Sequence, residues 1–228
     1  MPGKSCRDIS ARKCVGDGIY WISLNSTAST AFPVFCDMKN GGWTLIFKGI
    51  AGVPGIVSDI WQSPSTFNEN SLKALNIENC FKNHYKNRIV QEWSTFSPTQ
   101  ARIVLYSRGK EDVVLTFSTQ NTNNMNWFTE ANLQTSPWQD IHEKVNNYFS
   151  VVGYCPADRG CRDFYINHQH GGCPGDIGWL TIGNIYQGCD WEKKHGMTSF
   201  LYSKKTSNVN WNVYADVGAS EVFAVYLR

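Results

Sequence analysis

Charge is scarce in this chain, and long apolar runs are missing. Asp, Glu, Lys and Arg make up only 18% of the 228 residues, too few for the charge-rich composition of a disordered tail. Basic residues number 21 and acidic 19, for a net charge of +2, and the two kinds are mixed along the chain. Nucleic-acid binding, which needs a concentrated basic face, is therefore not expected. The densest basic stretch, Lys193-Lys194-His195 with Lys204-Lys205 nearby, reads as solvated surface. No apolar run is long enough to cross a bilayer, so membrane insertion is not expected either. The opening Met1-Pro2-Gly3-Lys4-Ser5 has no apolar core of a signal peptide. No C-x-x-C pair supports a zinc ribbon or thioredoxin site, and neither a G-x-S-x-G elbow nor an H-E-x-x-H helix occurs. The chain reads as a binding protein rather than an enzyme.

What is present is cysteine and aromatic side chain. Eight cysteines stand at positions 6, 14, 36, 80, 155, 161, 173 and 189, an even set that suits disulfides in an oxidising compartment. Spacing alone leaves their pairing open. A secreted, mature or trimmed chain is the expectation, and the sequon Asn25-Ser26-Thr27 is compatible with it. At this length a single domain buries a full core.

The stretch from Phe164 to Glu192, FYINHQHGGCPGDIGWLTIGNIYQGCDWE, concentrates the chemistry. Phe164-Tyr165-Ile166 reads as the end of a strand. The six glycines that follow forbid a long helix and favour a compact loop. Asn167, His168, His170, Asp176, Asp190 and Glu192 offer carboxamide, imidazole and carboxylate groups. Tyr186, Trp191, Trp179 and Tyr202 offer rings, with Trp179 in Gly178-Trp179-Leu180-Thr181-Ile182 reading as a core strand residue. Fixed polar groups beside aromatic faces suit a saccharide, which has hydroxyls and an apolar C–H face. An acidic sugar would call on Arg162, Lys193 or Lys194. A weaker alternative is zinc on His168, His170 and Asp176.

Strands are expected over 19–24, 31–38, 42–48, 101–106 and 112–118, with Asn40-Gly41 as a hairpin signal. Short helices are expected within Ser65–Asn79 and within Trp127–Leu133 or Asp140–Tyr148. Asp216 in Tyr214-Ala215-Asp216-Val217 reads as a turn residue or a ligand.

Ser5-Cys6-Arg7-Asp8-Ile9, Gly18-Ile19-Tyr20-Trp21-Ile22, Pro33-Val34-Phe35-Cys36-Asp37-Met38 and Gly41-Gly42-Trp43-Thr44-Leu45 follow one another in an order that resembles the opening of a fibrinogen-related domain. The resemblance implies one disulfide-stapled α+β domain over 1–228, with mixed antiparallel sheets, short helices and long loops. It divides into a β-rich N-terminal unit over 5–48, a central sheet and helices over 49–152, and a ligand-binding region with closing strand over 153–228. It also implies a Cys6–Cys36 bond. The acidic D-x-D-N-D loop usual in that family is not found.

The last third is similar instead to the intelectins, calcium-dependent lectins. The similar residues are Asn167 with His170 three places on, Cys173, Asp176 in the glycine-rich loop, Asp190-Trp191-Glu192 and the terminal strand Glu221–Arg228. That likeness implies a Cys14–Cys189 bond and Ca2+ on Asp176, Asp190 and Glu192. Its ligand set for glycans is Asn167, His168, His170, Asp176, Tyr186, Asp190, Trp191, Glu192 and Tyr202. The reading is a secreted, homo-oligomeric lectin for sialic acid or another terminal saccharide on cell-surface or microbial glycans, acting in innate recognition or agglutination. The alternative is a fibrinogen-like protein-interaction or matrix module without sugar binding.

Overall fold

The computed structural model describes the chain except residues 1, 26, 79, 144–147, 156–161, 185 and 187 and the side chain of Tyr148. Two antiparallel sheets face each other. The first seven strands are β1 (Gly18–Ile22), β2 (Phe32–Asp37), β3 (Trp43–Ile50), β4 (Tyr85–Lys86), β5 (Gln100–Ser107), β6 (Lys110–Ser118) and β7 (Leu133–Thr135). The next six are β8 (Tyr148–Ser150), β9 (Arg162–Gln169), β10 (Ile177–Gly183), β11 (Ser199–Ser203), β12 (Val209–Asn210) and β13 (Val217–Ser220). The last, β14 (Val222–Leu227), returns to the first sheet. There it lies between β3 and β5, giving the order β1-β2-β3-β14-β5-β6-β7 with β4 beside β3. The second sheet runs β13-β11-β10-β9-β8, with β12 beside β10.

The β14 sequence VFAVYL shows why it sits centrally. Phe223, Val225 and Leu227 point into the core between the sheets, while Val222, Ala224 and Tyr226 belong to a second core on the outer face. A strand buried on both faces must be apolar throughout. Ala74, Leu75 and Tyr85 cover that outer face, and Tyr106 and Tyr226 join their hydroxyls there at 3.0 Å. Between the sheets, Trp61 packs against Phe47 (5.4 Å), Phe164 (5.6 Å) and Trp127 (6.0 Å) and donates its indole N–H to the Asn124 carbonyl at 2.8 Å.

The expected strands form, their ends shifted by a residue or two. The turn after Asp37 closes with the Gly42 N–H on the Asp37 carbonyl, and both Gly41 and Gly42 take positive φ (105° and 77°), the conformation glycine adopts without steric cost.

Helix content differs from expectation. The segment 65–79 contains only a 3-10 turn, Leu72–Leu75, and 127–133 only Glu130–Asn132, among the described residues. In both, apolar side chains serve to lid the sheets, and no continuous helical face is needed. Of the helix expected over 140–148, residues 140–143 form a turn and bend, 144–147 lie outside the described residues, and Tyr148 begins β8. The N-terminal unit instead opens with helix α1 (Cys6–Arg12), whose N-cap Ser5 accepts the Asp8 N–H at 3.1 Å. Three further short helices are α2 (Val57–Gln62), α3 (Trp93–Phe96) and α4 (Asp190–Lys193).

Cys6 and Cys36 are bonded, fastening α1 to β2. Cys189 is bonded to Cys173, and not to Cys14, which is exposed and free, as is Cys80. Asp176 and Glu192 both bond Arg162, which holds the turn after Cys173 against the start of α4, with the Cα atoms of Cys173 and Cys189 5.1 Å apart. Cys155 is also bonded, whereas Cys161 lies outside the described residues.

Two lysines are buried against backbone carbonyls. Lys48 donates to the Asn76 carbonyl at 2.6 Å, and Lys86 to the carbonyls of Ile60 (3.0 Å) and Ser63. Burial lowers each amine to about 8. The unfolded chain therefore holds more protons than the folded one from about pH 8 upward, and stability rises with pH there. Burial raises Tyr85, Tyr106, Tyr165 and Tyr226, so the folded chain retains protons above pH ~10 that the unfolded chain loses, and stability falls again. Urea midpoints measured between pH 7 and 11 should pass through a maximum near pH ~10; a monotonic fall from pH 7 would contradict this arrangement.

Candidate functional site

The region from 162 to 192 is organised around one guanidinium. Arg162, the first residue of β9, is 3% exposed. Its Nη1 meets Asp176 Oδ2 at 3.1 Å, and its Nε and Nη2 meet Glu192 Oε1 at 3.0 and 2.9 Å. The Tyr165 hydroxyl accepts a further N–H at 3.4 Å. The guanidinium carbon lies 4.6 Å from the Trp191 ring centre, and Trp191 in turn stacks on Trp211 at 5.6 Å. Glu192 Oε2 accepts the Cys189 backbone N–H at 3.1 Å, at the first turn of α4. Although burial alone would lower it, Arg162 is held above its ordinary range by Tyr165, Glu192 and Asp176.

The residues expected to grip a saccharide divide between the interior and the surface. Asn167 (1% exposed), Asp176 (2%), Trp191 (2%) and Glu192 (7%) are inside. Asn167 lies so close to β10 that a Cβ on Gly178 would approach its Oδ1 to 2.7 Å and Trp211 to 3.0 Å, so that glycine is required by packing. Trp179 is fully buried and donates to Asp140 Oδ1 at 2.7 Å. Tyr202 is half-buried over Gly218, where a Cβ would meet its ring at 2.1 Å. His168 is half-buried with its ring 6.0 Å from Trp179. His170 and Asp190 are exposed. His170 leans on Tyr154 at 4.5 Å and Tyr165 at 5.4 Å, and burial and then Arg162 lower its pKa.

The three acids named as calcium ligands do not converge. Asp176 and Glu192 share Arg162, while Asp190 faces solvent. A hard dication needs six to eight oxygens, and here it would sit against a buried cation. The residues therefore do not fit Ca2+. No cluster of three or more His, Cys, Asp or Glu arranged for a metal occurs among the described residues, which also leaves the zinc alternative without a ligand set.

Three surface hollows among the described residues bear on ligand binding. One, of about 140 Å³, lies between Gly183, Tyr186, Glu192, Lys193, Gly196 and Met197, with the Lys193 ammonium 3.7 Å from the Tyr186 ring centre. A second, a groove of about 570 Å³, runs along β1 on the outer face of the larger sheet. It is walled by Ile19, Phe35, Leu72, Ile77, Cys80 and Phe81. A third, of about 450 Å³, opens where α3 meets β5 and β6 ends. Sequence reasoning missed the groove because its walls come from segments far apart in the chain. The exposed apolar alternation of Ile19 and Trp21 was the available signal.

No protein-family model matches the chain, and no curated protein does. Among solved structures it is similar to the fibrinogen-like globe domain of human ANGPTL6, at 13% identity and TM-score 0.43, over 100% of this chain and 96% of that one. The same domain of human ANGPTL2 matches at 12% identity and TM-score 0.43, over 100% and 99%. A lamprey fibrin D-dimer complexed with the peptide ligand Gly-His-Arg-Pro-amide matches at 12% identity and TM-score 0.43, over 100% and 73%. Likeness at these values transfers no activity to this chain.

Replacing Arg162 with Ala leaves two buried carboxylates facing each other, a loss of about 3–5 kcal/mol. Urea unfolding at pH 7 should show it. A chelator should leave the melting temperature of the unaltered protein unchanged; a drop on chelation would restore the calcium reading.

Proposed function

We propose that the chain is a non-enzymatic, extracellular protein-interaction module that receives an extended apolar segment of a partner protein in the groove beside β1. The observation that carries this reading is the exposed apolar patch at that groove: Ile19 and Leu72 on its walls are 42% and 52% exposed, and Trp21, two residues on from Ile19 along β1, is 55% exposed. Large exposed side chains gathered on one concave surface mark binding sites. Strand β1 is an edge, paired with β2 on one side and bridged on the other by Gly3 to Ile22. The backbone ahead of that bridge is placed for strand addition, in which main-chain hydrogen bonds supply affinity and side-chain pockets supply selectivity. Lys73 lines the groove, so an acidic residue beside the apolar ones is favoured. The disulfides of Cys6–Cys36 and Cys173–Cys189 support an oxidising compartment.

A second reading keeps saccharide recognition but moves it to the smaller hollow. An acidic sugar such as sialic acid would set its carboxylate on Lys193 and a small apolar substituent against Tyr186 and Met197, while Glu192, which also lines the hollow, is paired with Arg162. Such binding needs no calcium, and copies of the chain assembled as a homo-oligomer would raise its avidity.

Panning a display library of random dodecapeptides against the folded domain tests the first reading. Enriched peptides should alternate apolar residues beside an acid. Their affinity should fall about tenfold or more in Trp21→Ala and Leu72→Ser, while these exposed changes alter stability by only about 0.5 kcal/mol. Enriched peptides indifferent to both substitutions would defeat it. On a glycan array run with and without chelator, sialylated glycans captured by the unaltered protein but not by Lys193→Ala would establish the second reading.

A further inference from the structure

The sequon Asn25-Ser26-Thr27 is the only Asn-x-Ser/Thr in the chain. It lies in the connection between β1 and β2, where Asn25 and Thr27 are exposed. Ser26 lies outside the described residues and meets the pattern by not being proline. We propose that Asn25 is a modification site and carries an N-linked glycan on Nδ2.

The first support is what the Asn25 amide does in the fold. Its Oδ1 accepts the Thr27 N–H at 3.3 Å and the hydroxyls of Ser23 (2.8 Å), Thr27 (2.8 Å) and Thr30 (2.6 Å). A backbone N–H can only donate, so this bond settles which amide atom is the oxygen. Nδ2 is the open end, and among the described residues it donates to no protein atom. Other loop asparagines use that nitrogen to hold the structure. Asn40, Asn68, Asn208 and Asn210 donate Nδ2 to Asp37, the His84 carbonyl, Asp140 and the Pro174 carbonyl. At Asn25 a sugar can replace an amide hydrogen without breaking a hydrogen bond.

Turn chemistry does not account for the nitrogen. Four donors converging on one oxygen would be served better by a carboxylate, because hydrogen bonds to an ionised acceptor are stronger. Aspartate suits such turns equally well. The fold thus uses the oxygen of residue 25 and gives the nitrogen no role, while glycan attachment requires that nitrogen.

The surface beside Asn25 has room for the first sugar. A hollow of about 230 Å³ is bounded by Asn25 with Leu24, Thr30, Phe32, Arg88, Glu92 and Thr95. It is smaller than the usual site of a free small molecule, but a tethered ring needs no separate association step to occupy it. Thr30, Glu92 and Thr95 are exposed on its rim and offer polar groups to the sugar hydroxyls.

Attachment forms a bond from Nδ2 to the anomeric carbon of an oligosaccharide and breaks that carbon's bond to the pyrophosphate of a polyprenyl carrier. The Nδ2 proton is lost, and the carrier leaves as its pyrophosphate. Entry into an oxidising secretory compartment, which the Cys6–Cys36 and Cys173–Cys189 bonds support, brings the chain to such carriers. Asn25 stands three residues beyond the Ile22 end of β1, whereas the groove meets β1 at Gly18 and Ile19, about 10 Å back from Ile22 by strand rise. Peptide capture in the groove and glycan attachment at Asn25 are therefore tested separately.

For the test, the full chain is produced in insect cells behind a cleavable secretory leader. Disulfide-bonded protein, secreted or retained, is read by intact mass before and after peptide-N-glycosidase. The unaltered chain should carry a mass excess of hexose and N-acetylhexosamine units, and enzymatic release in heavy-oxygen water should leave a labelled aspartate at position 25. Asn25→Asp keeps the acceptor oxygen, so that variant should fold with an unchanged melting temperature and lose the whole excess. Thr27→Ala should lose it too, whereas Thr27→Ser, which retains the hydroxyl, should keep it. Disulfide-bonded unaltered protein at its bare polypeptide mass would overturn the assignment, as would an excess that survives in Asn25→Asp.

Discussion

A buried arginine determines how the C-terminal third is arranged. Taking a guanidinium out of water costs several kcal/mol unless every donor finds a partner. Arg162 satisfies this with Asp176, Glu192 and the Tyr165 hydroxyl, and lays its flat face toward Trp191. Each partner comes from a different element. Asp176 comes from the turn before β10, Glu192 from α4, and Tyr165 from β9 itself. The glycine-rich turns between them and the Cys173–Cys189 bond serve to bring these groups to one point. The larger sheet repeats the device: Arg102 of β5 is buried with Asp37 at 2.6 Å and Glu111 at 2.5 Å. In both sheets a strand arginine recruits acids from neighbouring segments and so sets their register.

An irregularity in β9 makes the Arg162 arrangement compatible with a packed core. Between Ile182 and Leu180 of β10, the partner strand advances from Asp163 to Ile166, one residue more than the pairing needs. The extra residue is taken up near Phe164, whose φ is 42°, an unusual value for an aromatic residue. Consecutive residues can then be buried in different surroundings. Arg162 reaches Asp176 and Glu192, while Asp163 accepts N–H groups from Ser58 at 2.7 Å and Asn184 at 2.5 Å. Phe164 enters the aromatic core beside Phe223 at 4.7 Å. Burial raises Asp163 to about 6, so this carboxyl opposes folding as pH rises from about 4 to about 6, and the two amide donors offset part of that cost.

The legible parts of the fold were those written in local pattern. Alternation and turn chemistry gave β1, β2, β3, β5 and β6, and the likeness of the opening motif gave Cys6–Cys36. The helices were less legible because 65–79 and 127–133 are held by contacts with the sheets, so their apolar residues mark burial and not helical period. The C-terminal chemistry was misjudged for a specific reason. Asp176, Trp191 and Glu192 have the composition of a ligand site, but composition cannot reveal that Arg162, outside the stretch by two residues, is the cation they satisfy. The local signal available was Arg162 itself, a basic residue beside Asp163 at the start of a strand whose middle, Phe164-Tyr165-Ile166, is apolar.

With Asp176 and Glu192 engaged by Arg162, the concavities of the surface lie where the sheets are left uncovered. The larger sheet is apolar on both faces, and Ala74, Leu75, Ile77, Phe81 and Tyr85 cover only part of its outer face. The uncovered remainder beside β1 is the groove walled by Ile19 and Leu72, with exposed Trp21 two residues further along the strand. At one end of β5 and β6 the chain must turn, and turn residues are hydroxyl and carboxamide side chains because these satisfy backbone groups locally. That requirement yields the neutral cleft of Ser97, Thr119 and Asn121. One sheet thus presents an apolar concavity along its edge and a polar one at its end.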